Sequence, residues 1–204
     1  MVWPRPDPHC VTSVDAGSRI ARVPDLRLFH FSEDPSIDQF VPRTVVVPSL
    51  REPGMEWLDG PLVWAVDEAR EATYLFPREC PRILLWLTPE TTGEDRERWW
   101  GARSCSMIAH VEWRWLREIE TRTIYRYELP TASFEPTKDS WMQVSREAVS
   151  PLSVEPITDL TRALAERAVE LRVMESLVAL QDVWQTTLHA SGIRLRNAIG
   201  WESR

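Results

Sequence analysis

Lysine is all but missing from this chain: Lys138 is the only one among 24 basic residues, and the rest are arginine. The bias reads as the codon usage of a GC-rich genome. The alternative is a selected use of guanidinium forks, which grip phosphates and carboxylates bidentately. Glycine is also scarce, at seven residues. No GxxxxGK, GxGxxG or GxSxG occurs, which excludes a glycine-rich phosphate cradle and a nucleophile elbow. Three cysteines, Cys10, Cys80 and Cys105, are odd in number and far apart, so neither a disulfide framework nor a zinc knuckle is indicated. Four scattered histidines form no HExxH, and no acid cluster has calcium-loop spacing; a metal-dependent hydrolase is disfavoured and no metal is expected. No apolar run approaches the ~20 residues needed to cross a bilayer. The opening "MVWPRPDPHCV" has no apolar core of a signal peptide, so a cytoplasmic location is expected. A net charge of -7 argues against non-specific binding to nucleic acid or membrane.

What is present is a globular composition, 43% hydrophobic and 27% charged over 204 residues. That is enough for one well-buried domain with at most an appendage. Eleven tryptophans are assigned to core or sheet faces. Residues 1–24, with prolines at 4, 6, 8 and 24, read as a loosely held arm, and 25–204 as a single domain. "LRLFHF" (26–31), "TVVVPSL" (44–50), "PLVWAV" (61–66), "RILLWLT" (82–88), "RTIYRYELP" (122–130), "SWMQVS" (140–145), "AVSPLSVEPI" (148–157) and "VELRVM" read as strands. Helical pattern is expected in "SEDPSIDQF" after its turn, with Ser32 or Asp34 as cap. It is also expected in "DEAREATYLF" (67–76) behind Asp67, and in "SMIAHVEWRWLREI" (106–119), whose Met107, Ile108, Val111, Trp115 and Ile119 share a face. Further helices are expected in "DLTRALAERA" behind Thr158 and "LVALQDVWQTTLHA" behind Ser176, the last ended by Gly192. Strands come in clusters, which favours an α+β domain with short mixed or antiparallel strands and three to four helices.

Three constellations carry chemistry. His30 and Ser32 share one strand face because side chains alternate with period two; together they suit the hydroxyls of a ribose. The bland reading is a histidine satisfied by a backbone carbonyl at a strand end. Tyr74, Arg78 and Arg82, in "YLFPRECPR", offer guanidinium forks for a carboxylate or phosphate, and Arg43 stands ready to join. The bland reading pairs those arginines with Glu71 and Glu79 at the surface. Tyr125 and Tyr127 share a strand face, with Glu128, Glu135, Asp139 and Glu147 as nearby acids for a developing sugar cation. The "IRLRN" of the tail suits an anion or a partner, or is simply a solvated strand.

The runs "LFHFSEDPSIDQFVPR", "PLVWAVDEAREATYLFPRECPRI", "YRYELPTASF…SW…VS", "VELRV" and "IRLRNA" resemble a family of uncharacterised bacterial proteins of about this length, over about residues 27–198. More loosely, their order is similar to that of small ADP-ribosyltransferase-like and RNA 2′-phosphotransferase-like domains. That likeness implies a split-sheet architecture in which a first strand ends in His-x-Ser and holds the ribose of NAD. Carried across, His30 and Ser32 match the first motif, and Trp64 and Ala65 fall at the second. Tyr74 would stack on nicotinamide, and Asp139 would stand in for the late catalytic acid. The usual glutamate and the ring-binding glycine are absent from the pattern. The implied function is binding of NAD or a nucleotide-derived anion in a cleft of His30, Ser32, Arg43, Tyr74 and Arg78, with ADP-ribosyl-type transfer as the chemistry. The alternative is a binding or protein-interaction domain without catalysis.

Overall fold

The computed structural model describes residues 26–46, 53–138 and 141–202. The proposed N-terminal arm, Asp139 and most of "TVVVPSL" lie outside the described residues. Among the described residues, ten strands divide into two sheets. They are β1 (Leu28–Ser32), β2 (Val63–Asp67), β3 (Arg82–Trp86), β4 (Met107–Glu112), β5 (Ile124–Leu129), β6 (Glu135–Pro136), β7 (Met142–Ser145), β8 (Ser153–Ile157), β9 (Val169–Met174) and β10 (His189–Ile193). The larger sheet runs β6-β7-β2-β1-β5-β8 and is antiparallel throughout. The smaller runs β10-β3-β4-β9, with β4 and β9 parallel. Helical segments are short: α1 (Gly93–Asp95), α2 (Leu116–Thr121) and α3 (Leu160–Glu166). The α+β expectation and the clustering of strands hold.

Burial explains the smaller sheet. Every residue of β3 and β4 is buried, because β3 is paired on both edges and both faces are covered. Their apolar side chains join a core with Leu75, Trp100, Ile119, Leu160 and Leu164. A second core, Leu28, Phe40, Val63, Ala65, Tyr127 and Leu129, lies on one face of the larger sheet.

Several helix expectations fail. Residues 107–112 form β4, and only 116–119 of that stretch are α-helical, in a helix that runs on to Thr121. A strand covered on both faces loses its polar alternation, and its apolar run then mimics a helical stripe. "SEDPSIDQF" forms bends and a bridge, Phe40 to Val149. Asp34 there closes a local turn, accepting from the Ser36 amide at 2.9 Å. "DEAREATYLF" yields a single 3₁₀ turn at Glu71–Tyr74. Asp67 does accept a free amide, that of Arg70, at 2.9 Å. Helix α3 is capped by Asp159, which accepts from the Arg162 amide, and not by Thr158. Ser176 caps as expected, but the segment behind it is a 3₁₀ run to Gln185, and Gly192 lies inside β10.

Candidate functional site

The site begins where β1 and β2 part. They pair only at Leu28–Asp67 and Phe29–Val66, whereas β1 stays paired with β5 along its whole length. Beyond Phe29 the ring of His30 reaches β2 instead, its Nδ1 lying 2.8 Å from the carbonyl oxygen of Trp64. A side chain takes an acceptor that a continued ladder would have used. The gap opens into a cavity of about 280 Å³, lined also by Ile193 at the end of β10 and by Arg194. Its walls are aromatic, from Phe29, Phe31, Trp64, Tyr74 and Phe76. Phe31 and Tyr74 lie nearly parallel, 6.3 Å apart.

The cavity brings together five residues expected of a site: His30, Ser32, Trp64, Tyr74 and Arg78. Arg43 stands beside it, off the wall, bridged to Leu62, though its charge reaches His30. Arg82 and Arg194 complete the lining, with Glu33 as the acid on the wall. Arg194 comes from the tail "IRLRN" and could be brought here only by the pairing of β10 with β3.

The proton on His30 is fixed by geometry. A carbonyl oxygen only accepts, so Nδ1 carries the hydrogen and donates to Trp64. Burial lowers the pKa, and the charges of Arg78 and Arg43 lower it further against the bond to Trp64. The ring is therefore neutral at pH 7, and its Nε2 lone pair is an acceptor. The backbone-satisfied reading of this histidine holds for Nδ1, and the residue also lines the cavity. Ser32 is partly engaged, its Oγ accepting from the Asp34 amide at 3.1 Å.

Tyr74 is half-buried, and its hydroxyl points at the Met142 sulfur, 3.7 Å away, a weak acceptor. Burial raises its pKa, opposed by Arg82 and Arg194. Arg82 is buried, at 2% exposure. Its Nε donates to the Thr73 carbonyl and its Nη1 to the Cys80 carbonyl, both at 2.9 Å. The guanidinium lies 5.0 Å from the Phe76 ring centre and 5.8 Å from that of Tyr74. Burial pushes its pKa down to about 10. The expected surface pairing with Glu71 and Glu79 is thus corrected. Glu71 is buried against Arg126 and Arg167, and Glu79 pairs with Arg194 and Arg196. Arg78 is exposed at the mouth, its amide donating to Glu33.

Arg194 is held in a left-handed backbone conformation, φ 56, which is strained for a residue with a side chain. The tail around it is bolted down. Asn197 donates to Glu79 at 2.9 Å. Glu112, fully buried, accepts from the Ile199 amide at 2.8 Å and from Arg114 at 3.0 Å. Among the described residues no cluster of three or more metal-ligating side chains occurs, and no helix is long and apolar enough to cross a membrane.

A family model described as "Family of unknown function (DUF6886)" matches residues 29–198. That span begins with the first cavity-lining residue and runs past Arg194. No curated protein and no solved structure matches the chain.

Proposed function

The chain belongs to that family of unknown function, and from this premise we propose that it binds a nucleotide-derived anion in the cavity between its sheets, with NAD among the candidate ligands. One observation carries the reading: a single aromatic-walled cavity gathers His30, Ser32, Tyr74 and three arginines against one carboxylate. A cationic hollow in a chain of net charge -7 is a local arrangement and not a reflection of bulk charge. Aromatic faces suit a heterocyclic ring. The Nε2 lone pair of His30 and the hydroxyl of Ser32 suit the hydroxyls of a sugar. About 280 Å³ is at the small end of ligand sites, so a dinucleotide would place only part of itself inside.

If the ligand is turned over, the chemistry this site would serve is ADP-ribosyl-type transfer, with nicotinamide leaving a ribose held at His30. Such a reaction needs a carboxylate to steady the sugar cation. The wall carries Glu33, which is exposed and already accepts the Arg78 amide. That engagement favours the second reading, binding without turnover.

Thermal melting with NAD, ADP-ribose, AMP, nicotinamide mononucleotide and adenosine tests the proposal. A melting temperature that rises with ligand concentration is expected. Flat curves across the panel, together with concentration-dependent self-association, would replace it with an interaction domain.

A further inference from the structure

Of the three arginines on the cavity wall, only Arg82 is buried. Arg194 is half-buried, donates to the carbonyl of Arg78 and is paired with Glu79 at 3.4 Å. Arg78 is exposed to solvent. Arg82 makes no ion pair with a carboxylate among the described residues. Its Nε and Nη1 are spent on the carbonyls of Thr73 and Cys80. The rings of Phe76 and Tyr74 lie beside the guanidinium and compensate part of its charge. A buried cation without a counter-ion is costly unless something anionic completes it, and the lowered pKa of Arg82 registers that cost.

Nη2 is left over. It has no acceptor among the described residues, yet it is not sealed into the core. The sealed side-chain nitrogens without a partner among those residues belong to Trp99, Trp115 and Arg172, and Nη2 of Arg82 is not one of them. What it opens on is the cavity that Arg82 lines. One guanidinium balances one negative charge, and the other two arginines are paired or solvated. A carboxylate on a flat ring meets that demand. It is ionised at pH 7, its two oxygens suit an N–H edge, and the ring behind it suits the aromatic walls. A carboxamide of the same shape carries no charge and turns amide hydrogens toward the cation. A phosphodiester is also a monoanion, but its charge sits between two ester arms and not at the end of a ring.

We propose that Arg82 is the seat for a carboxylate borne on the heterocyclic ring of the ligand, so that the cavity takes the pyridine-3-carboxylate form of a nicotinamide-type nucleotide in preference to the carboxamide. The inference rests on the nucleotide reading above and narrows it to ligands whose ring carries an acid. The carboxylate would accept from Nη2 in a charge-assisted bond of the stronger kind, supplying the counter-ion that the fold withholds.

Calorimetric titration of the full chain with nicotinic acid adenine dinucleotide, NAD, ADP-ribose, nicotinate and nicotinamide tests it. The acid dinucleotide is expected to bind at least about tenfold more tightly than NAD, and nicotinate more tightly than nicotinamide. ADP-ribose, which lacks the ring, should bind no better than NAD. Arg82→Gln, checked for folding by its melting curve, should bring acid and amide within about twofold of each other. Arg78→Gln and Arg194→Gln, which leave the buried core untouched, should keep the preference, and they decide the assignment if Arg82→Gln does not fold. Loss of the preference in either would move the carboxylate to a surface cation and overturn the seat. Equal affinity for acid and amide, or ADP-ribose matching the acid dinucleotide, would overturn it too and leave the nucleotide reading standing. Binding of nicotinate with no binding of any dinucleotide would keep the seat and end the nucleotide reading. No binding by any of the five would end both.

Discussion

The imidazole of His30 donates from Nδ1 to the main-chain carbonyl of Trp64, 2.8 Å away, across the gap where two neighbouring strands stop pairing. One bond thus sets the tautomer, braces the open strand and leaves Nε2 as the acceptor that the proposed ligand would meet. Removal of the ring separates these roles. His30→Ala should weaken ligand binding by about 1–3 kcal/mol through loss of a buried acceptor. Calorimetry beside denaturant melts distinguishes the roles: a fall in stability with unchanged affinity would make the residue purely a brace.

Acid should destabilise the fold through a second histidine. His110 is buried, and burial, helped by the charge of Arg172, lowers its pKa from 6.5 to about 4. Between those values the unfolded chain binds a proton that the folded chain does not. Stability is then fully present above about 6.5 and falls toward pH 4, by about 1.4 kcal/mol per pH unit and about 3 kcal/mol in all. Urea unfolding from pH 7 to pH 4.5 measures the slope, and His110→Gln should reduce it, leaving the part contributed by buried His30.

Glu71 is 3% exposed and pairs with Arg126 at 3.0 Å and Arg167 at 2.6 Å, tying β5 to the end of α3. Truncation removes the shared acceptor, while Arg126 keeps Glu155 and Arg167 keeps the Ala163 carbonyl. Glu71→Ala should cost about 1–3 kcal/mol, read from chemical denaturation. A loss under 1 kcal/mol would mean that water replaces the carboxylate.

Ala168 follows α3 with φ 54, and its amide donates back to Ala165 at 2.9 Å. This is the left-handed position that closes many helices and favours glycine. Ala168→Gly should stabilise the protein by about 0.5–1 kcal/mol, seen as a higher denaturant midpoint at unchanged slope.

Glu112 holds the tail that presents Arg194. Glu112→Ala should therefore act at a distance from the cavity, weakening binding of the proposed ligand and costing about 1–3 kcal/mol of stability as the Ile199 amide loses its partner. Intact affinity in this variant would show that Arg194 keeps its place without the bolt.

Much of the cavity was legible before any coordinates. Period-two alternation placed His30 and Ser32 on one face, and both line the cavity. Proline punctuation put Arg78 and Arg82 at the approach to a strand, which is where they stand. The pattern offers Arg82 as a loop-edge fork or as a surface arginine; its burial rests on carbonyls of Thr73 and Cys80 that no residue pattern advertises. Met107–Glu112 carries a helical pattern for a related reason, since a strand closed in on both faces has no polar side to reveal its period.

Local chemistry along the chain determined the strand-rich α+β character, the absence of a glycine cradle, and the capping roles of Asp67 and Ser176. These depend on neighbours a few positions apart, so the sequence alone carries them. Only the tertiary structure decided that Arg194 should meet Arg78, 116 positions earlier, and that β1 and β2 should part at His30. Both outcomes depend on strand order and register between distant segments, and these are fixed by burying two cores at once.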